Sequence, residues 1–438
     1  MLFNGLIFLI CIAPLHLGAN RPISWSILSL FAGVLLLGWS YNTTIKNQAI
    51  TVSGWKISPI IASYLLVCGW IALQCLDIGL AHPLWKITSE TLNKSAFSTI
   101  SVAPYKTLTG LMRLLAYGAV FWLSLQYCRN AKNIKKLFNW IIVASTIYAL
   151  YGLYVQIAGI PKLYYQDSVT GTFINRNSYA TYAGMCAILT LAMLIKTAMS
   201  GTAHLRKKQK LSAIITNVST SGYKYLIPFI IAVFAILLTH SRAGLLSFIL
   251  GVTVFLIAFS RNRKKHYLLF ATLSFIILGV FVGGGDTIER FSDIPKSIGG
   301  RTTIYKVTLN AIADMPYVGS GYNSFEEIFK LYKDSSISSA VLKRIDHAHN
   351  TYLENILELG IPAFSLLIFC FVYIFYTCSR GVFIRKRNVI YPATGVAITV
   401  LVGFHSLFDF SMEMPAVAIL YAGVMGACCS QSWSTREE

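Results

Sequence analysis

Charge is what this chain has least of. Only 12% of its 438 residues are Asp, Glu, Lys or Arg, where a soluble chain carries about 25%. So little charge cannot cover a large water-facing surface, which excludes the two or three soluble domains that length alone would suggest. Acids are the scarcer sign, 17 against 37 Lys and Arg, for a net +20. No polar domain exists to turn that excess into a nucleic-acid-binding face, so no nucleic-acid partner is expected. The nine cysteines all fall in or beside apolar runs, and no spacing among them reads as a zinc site or a redox pair. The first 19 residues lack the positive n-region of a secretory signal, so an uncleaved first span is expected there. No internal repeat, heptad pattern or low-complexity tail is present.

What the chain has instead is apolar length. Hydrophobic residues make up 55% of it, and they recur in runs of about 20, enough to cross a bilayer as helices. The pattern predicts an all-α, polytopic membrane protein with about 12 transmembrane helices, a single integral domain over residues 1–438. The expected spans are 3–19, 23–41, 57–75, 108–128, 137–159, 177–199, 224–240, 243–260, 266–284, 358–379, 390–407 and 414–430.

Loop charge then sets the orientation. Four clusters contain bases and no acid: Arg129, Lys132, Lys135 and Lys136; Arg206, Lys207, Lys208 and Lys210; Arg261, Arg263, Lys264 and Lys265; and Arg380, Arg385, Lys386 and Arg387. With these spans all four fall on one side, which the positive-inside bias makes cytoplasmic. The opposite side carries one long loop, 285–349, with eight bases balanced by eight acids. Apolar residues at helical spacing predict amphipathic helices at 301–314 (Ile304, Val307, Ile312) and 323–333 (Phe325, Ile328, Phe329). A short helix is expected from Asn350 to Leu359, stopped by Gly360 and Pro362.

Candidate chemistry collects on the side of that loop. Arg242 occupies a tight turn between two spans, where a charge is costly unless it is paired or faces a wet cavity. An arginine fork binds phosphate through two parallel hydrogen bonds and stays charged throughout. Arg301 follows Gly299 and Gly300 and is expected to open the first amphipathic helix, where the helix N-terminus would add positive potential. Arg176 lies between Asn175 and Asn177, either of which would cap the next helix. His347 and His349 close the long loop, with Asn350 following. His349 is a candidate general base, oriented by Asp346 or Glu354. The two histidines would also suit a metal, but no third and fourth ligand stand at a convincing spacing. His405, Asp409 and Glu413 lie near the outer ends of the last two spans and would either line the same cavity or serve as loop residues. His240, beside Arg242, is equally ambiguous.

Four stretches together resemble the O-antigen ligase/polymerase superfamily of bacterial envelope glycosyltransferases. They are Gly171 to Ala180 (GTFINRNSYA), Ser241 to Leu246 (SRAGLL), Gly300 to Tyr305 (GRTTIY) running on to Asp314–Gly321 (DMPYVGSG), and His349-Asn350 with Gly360 beyond. The resemblance implies a GT-C-like membrane fold with one large periplasmic loop. It implies a glycan donor linked to a polyisoprenyl diphosphate, undecaprenyl diphosphate in bacteria, and a reaction that needs no metal or other cofactor. Carried over residue by residue, the family's motif histidine falls on His349, its arginine followed four residues later by leucine on Arg242 and Leu246, and its second essential arginine on Arg301.

The expectation that follows is an inverting glycosyltransferase in the bacterial inner membrane, acting at the periplasmic face. His349 is its base, Arg242 and Arg301 hold the diphosphate, and Arg176, Asn350 and His347 are further substrate contacts. The acceptor is lipid A-core if the chain is a ligase, or a second lipid-linked glycan if it is a polymerase of O-antigen or exopolysaccharide. A transporter or flippase would instead predict inverted repeats and charges at mid-membrane.

Overall fold

The computed structural model describes residues 1–95, 98–162, 164–202, 204–260, 294–333 and 345–433. Among these the regular structure is helical. The order is α1 (Leu2–Ile12), α2 (Pro22–Thr44), α3 (Ser58–Leu73), α4 (Pro83–Leu92), α5 (Pro104–Tyr127), α6 (Ala131–Ile157), α7 (Arg176–Ala198), α8 (Lys207–Asn217), α9 (Tyr223–Leu238), α10 (Arg242–Phe259), α11 (Ile294–Asp314), α12 (Phe325–Tyr332), α13 (Thr351–Ile384), α14 (Ile390–His405) and α15 (Pro415–Ser430). Helix α8 runs through a π turn at Val218–Gly222 into α9. Eight helices of the described residues are long and apolar enough to cross a membrane, and α1, α14 and α15 are apolar but shorter. The expected span 266–284 and the basic cluster 261–265 lie outside the described residues.

The first expected span is shorter than its apolar run. Helix α1 ends at Ile12, so its 11 residues rise about 17 Å against a hydrocarbon core of about 30 Å. Its Leu6 and Leu9 are fully buried. Packing is tightest where small residues let helices touch: a Cβ on Gly426 of α15 would sit 2.2 Å from the Phe121 carbonyl oxygen of α5, the close approach that drives helix association in lipid. The outward faces stay apolar, with Leu30 and Leu37 of α2 each about 70% exposed. That is the pattern of a bundle whose surroundings are hydrocarbon.

The bundle has a lower and an upper end. At the lower end Lys136 reaches the Asn4 side chain. Arg129 donates to the carbonyls of Ser430 and Trp433, and Arg385 also donates to Trp433. Both ends of the described chain thus lie there, with the basic clusters around 129–136 and 380–387. The upper end carries the turn before α10, the loop before α7, the 406–414 connection, and α11 and α12.

Helix α13 is bent where the sequence breaks it. Gly360 has φ +76° and ψ 159°, and Pro362 follows. The bend frees carbonyls, and the loop Met315–Gly321 takes them up: Ser320 N–H donates to Leu357, Gly321 N–H to Glu358, and Ile361 N–H to Pro316. A Cβ on Gly360 would lie 2.2 Å from the Tyr317 carbonyl oxygen, so loop and bend fit only with glycine there. Gln74, fully buried at the end of α3, locks the joint by donating to Val318 and Glu358 and accepting from Tyr322 N–H.

Candidate active site at the upper end of the bundle

The Asn350 side-chain oxygen caps α13, accepting from the backbone N–H groups of Tyr352 and Leu353 at 3.0 and 3.1 Å. That cap fixes the chain just after His349, which sits at φ +53°. Tyr165 and His240 share this left-handed conformation, φ +55° and +52°. It is uncommon away from glycine and collects where a site demands particular geometry. Asn175 caps α7 in the same way, accepting from Asn177 N–H at 2.7 Å, and Ser241 caps α10 through Gly244 N–H.

His349 faces a carboxylate, but neither of the two expected. Its Nδ1 lies 3.8 Å from Asp409 Oδ1, an ion-pair distance too long for a hydrogen bond, and the nitrogen makes no hydrogen bond among the described residues. Glu354 instead pairs with His347 (Nδ1 to Oε1, 2.7 Å), and Asp346 is exposed. Asp409 is fully buried. Burial works against its charge, yet the facing His349, the nearby His405 and the Ser411 hydroxyl hold its carboxyl below the ordinary value. Ser411 Oγ donates to Oδ2 at 2.5 Å and Asn177 Nδ2 to Oδ1 at 3.2 Å. Thr181 bridges Ser411 and the buried His405. Asp409 is therefore ionised at neutral pH and fixed in place.

His347 is held as a cation. Burial opposes protonation of His347, but the Glu354 carboxylate overcomes it, with Asp346 and Glu413 adding to the pull, and the imidazole is pushed up to about 9. His347 is an imidazolium at neutral pH and cannot take up a proton. Phe410 separates the rings, stacked on His347 at 4.2 Å and edge-on to His349 at 5.0 Å.

Arg301 arrives by a different route from the one expected. Helix α11 begins at Ile294, so Arg301 lies in its interior and gains nothing from the helix N-terminus, whose field is confined to the first turn. Its position is set by register. Tyr305, one turn on, donates its hydroxyl to the His349 carbonyl at 3.1 Å. Burial raises the Tyr305 phenol, and the Arg301 guanidinium lowers it. The same is true of Tyr165, raised by burial and lowered by Arg176 and by Arg301. Arg176 stands over the Tyr165 ring at 5.1 Å and donates to Ser168 Oγ. Ser168 Oγ lies 3.4 Å from His240 Nδ1, two residues before Arg242 at the head of α10. A run of neighbours thus leads from Tyr305 through His349, Asp409 and Asn177, and on through Arg176 and Ser168 to His240, with Arg301 one turn before Tyr305. Arg242 stands beside its far end.

Two features carried no signal in the sequence reading. Tyr165 is the second of two adjacent tyrosines in a loop until folding sets it under Arg176 and within the field of Arg301. Arg113 sits inside an apolar span, is 7% exposed, and lies against the Trp25 ring at 5.1 Å. Among the described residues no group of three or more His, Cys, Asp or Glu side chains is placed to hold a metal ion.

The architecture defines a polytopic membrane protein with a charged, partly strained site at one end of its bundle. Residues 227–368 match the family model described as O-antigen ligase, which supports the resemblance to the O-antigen ligase/polymerase superfamily. The matched segment holds Arg242, Arg301, His347, His349 and Asn350; Arg176 and Asp409 lie outside it. No curated protein matches the chain. The family implies a glycosyltransferase-like enzyme acting on lipid-linked glycans, with ligase- or polymerase-like function.

Proposed function

We propose that this protein transfers a glycan from undecaprenyl diphosphate to an acceptor sugar at the periplasmic face of the bacterial inner membrane, as an O-antigen ligase with lipid A-core as acceptor. His349 takes the proton of the acceptor hydroxyl through Nε2, while Asp409 steadies the charge that forms on the ring. The acceptor oxygen bonds to the anomeric carbon as that carbon's bond to phosphate breaks. One direct displacement inverts the carbon, and undecaprenyl diphosphate leaves as an anion. Arg301 and Arg242 neutralise the growing charge, with Arg176 a third guanidinium in reach. Such a leaving group needs placement and charge more than acid catalysis, so no metal is required.

The observation that carries this reading is the division of labour between the two histidines within the family-matched segment. His347 is fixed as a cation by Glu354, which leaves His349, facing an ionised Asp409, as the proton acceptor. The test is a deletion strain complemented with wild-type or His349→Ala protein, with lipopolysaccharide and exopolysaccharide resolved on gels. Loss of all capped core, with lipid-linked chains accumulating, supports the ligase. Single repeat units on core, or absent exopolysaccharide, indicate the polymerase. Full rescue by His349→Ala overturns the base assignment.

A further inference from the structure

We propose that Glu354 is the positioning residue for His349, acting through the two residues that precede it. This rests on the reading of His349 as base. Glu354 is 2% exposed. One carboxylate oxygen accepts from His347 Nδ1 at 2.7 Å, the other from the backbone N–H of Ala348 at 2.8 Å. The clasp therefore grips two consecutive residues and holds the third, His349, in its left-handed conformation. On the far side of His349 the Asn350 cap belongs to the same helix turn. His349 hangs between two anchors on α13 and is turned toward Asp409, while Phe410 fills the space between the rings. The clasp adds to the Tyr305 hydroxyl's hold on the His349 carbonyl, and losing it would let His349 relax toward negative φ, with its ring moving away from Asp409. A base misplaced by about 1 Å loses on the order of 100-fold in rate.

One turn along the same face, Glu358 supplies a control. Its oxygens accept from the backbone N–H groups of Asn323 and Phe325 at 2.7 and 2.9 Å. It holds the start of α12, far along the chain from His349. The two carboxylates do the same local job, and only one of them borders the base.

The experiment uses the full-length protein in proteoliposomes with a synthetic polyprenyl diphosphate-linked glycan and an acceptor, for wild type, Glu354→Gln, Glu358→Gln, His349→Ala and the Glu354→Gln/His349→Ala double variant. His347→Gln breaks the same clasp from the other partner if Glu354→Gln fails to fold. The expected result is a kcat about 30-fold lower for Glu354→Gln with donor KM within about threefold, and a double variant no slower than His349→Ala alone, since residues that act as one unit are not additive. Glu358→Gln is expected to lower the melting temperature and leave kcat within about threefold. An equal loss from Glu354→Gln in the presence and absence of His349 overturns the proposal, as does a Glu354→Gln variant at wild-type kcat. If His349→Ala itself turns over at the wild-type rate, the base reading falls first, and this proposal with it.

Discussion

The same side chain does opposite work at the two ends of the bundle. At the lower end Arg129 and Arg385 are spent on backbone carbonyls of the last described residues, at 2.6 to 3.0 Å. At the upper end Arg176 and Arg301 stand among phenols and acids: Arg176 over Tyr165, and Arg301 acting on Tyr165 and Tyr305 beside an ionised Asp409. Lower-end arginines close off the structure. Upper-end arginines are held in a mixed field that an anionic ligand can complete. The lesson is that arginines stand at both ends, and their partners separate an anchor from a site.

Substitutions can break that comparison, and the largest effect falls at the upper end. His349→Ala is expected to lower glycan transfer by about 10²- to 10⁴-fold, the range for losing a general base, measured as release of polyprenyl diphosphate. Arg301→Ala is expected to lower kcat by about 100-fold, as for loss of one donor to a developing anion. Lysine there recovers only part of the rate, because it lacks the planar fork. Gly360→Ala acts on stability: its methyl group would enter the Tyr317 carbonyl, and thermal unfolding in detergent should show a loss of about 3 kcal/mol or failure to accumulate.

A subtler effect is a pH dependence. His347 is raised to about 9 by Glu354, above its unfolded value of about 6.5. The pair's contribution to stability is therefore complete below about pH 6.5 and lost as pH rises through about 9. Melting temperature should fall across that window in wild type and fall less in His347→Gln. Smallest of all, Arg385→Ala should cost about 1 kcal/mol for its hydrogen bond and leave kcat unchanged. A large kcat loss there would erase the distinction between the two ends.

The sequence made much of the framework legible, because apolar run length and turn chemistry are local. The break at Gly360 and Pro362, the caps at Asn175 and Asn350, and the tight turn before Arg242 all follow from short-range rules. Partnerships did not follow. Glu354 lies nearest His349 in sequence among the buried acids, but helix geometry turns it to His347 and Ala348. Asp409, 60 positions away, reaches His349 because the 406–414 connection folds back over α7 and α13. Arg301 looked like a helix start because two glycines precede it, yet α11 carries on through them. Arg113 escaped notice because one charge barely lowers the hydropathy of α5, and Trp25 approaches it only across the bundle. Each miss concerns a contact between distant segments, which spacing along the chain does not encode.

The account stands on His349 as the group that accepts the acceptor's proton beside a lipid diphosphate. Its most direct test is single-turnover transfer by the full-length protein in proteoliposomes, comparing wild type with His349→Ala, His347→Ala and Asp409→Asn at one pH near 7.5. Product formation should collapse with His349→Ala, fall by roughly 10- to 100-fold with Asp409→Asn, and drop less with His347→Ala, with donor binding retained in all three. Wild-type transfer by His349→Ala, or a collapse seen with His347→Ala in its place, would contradict it.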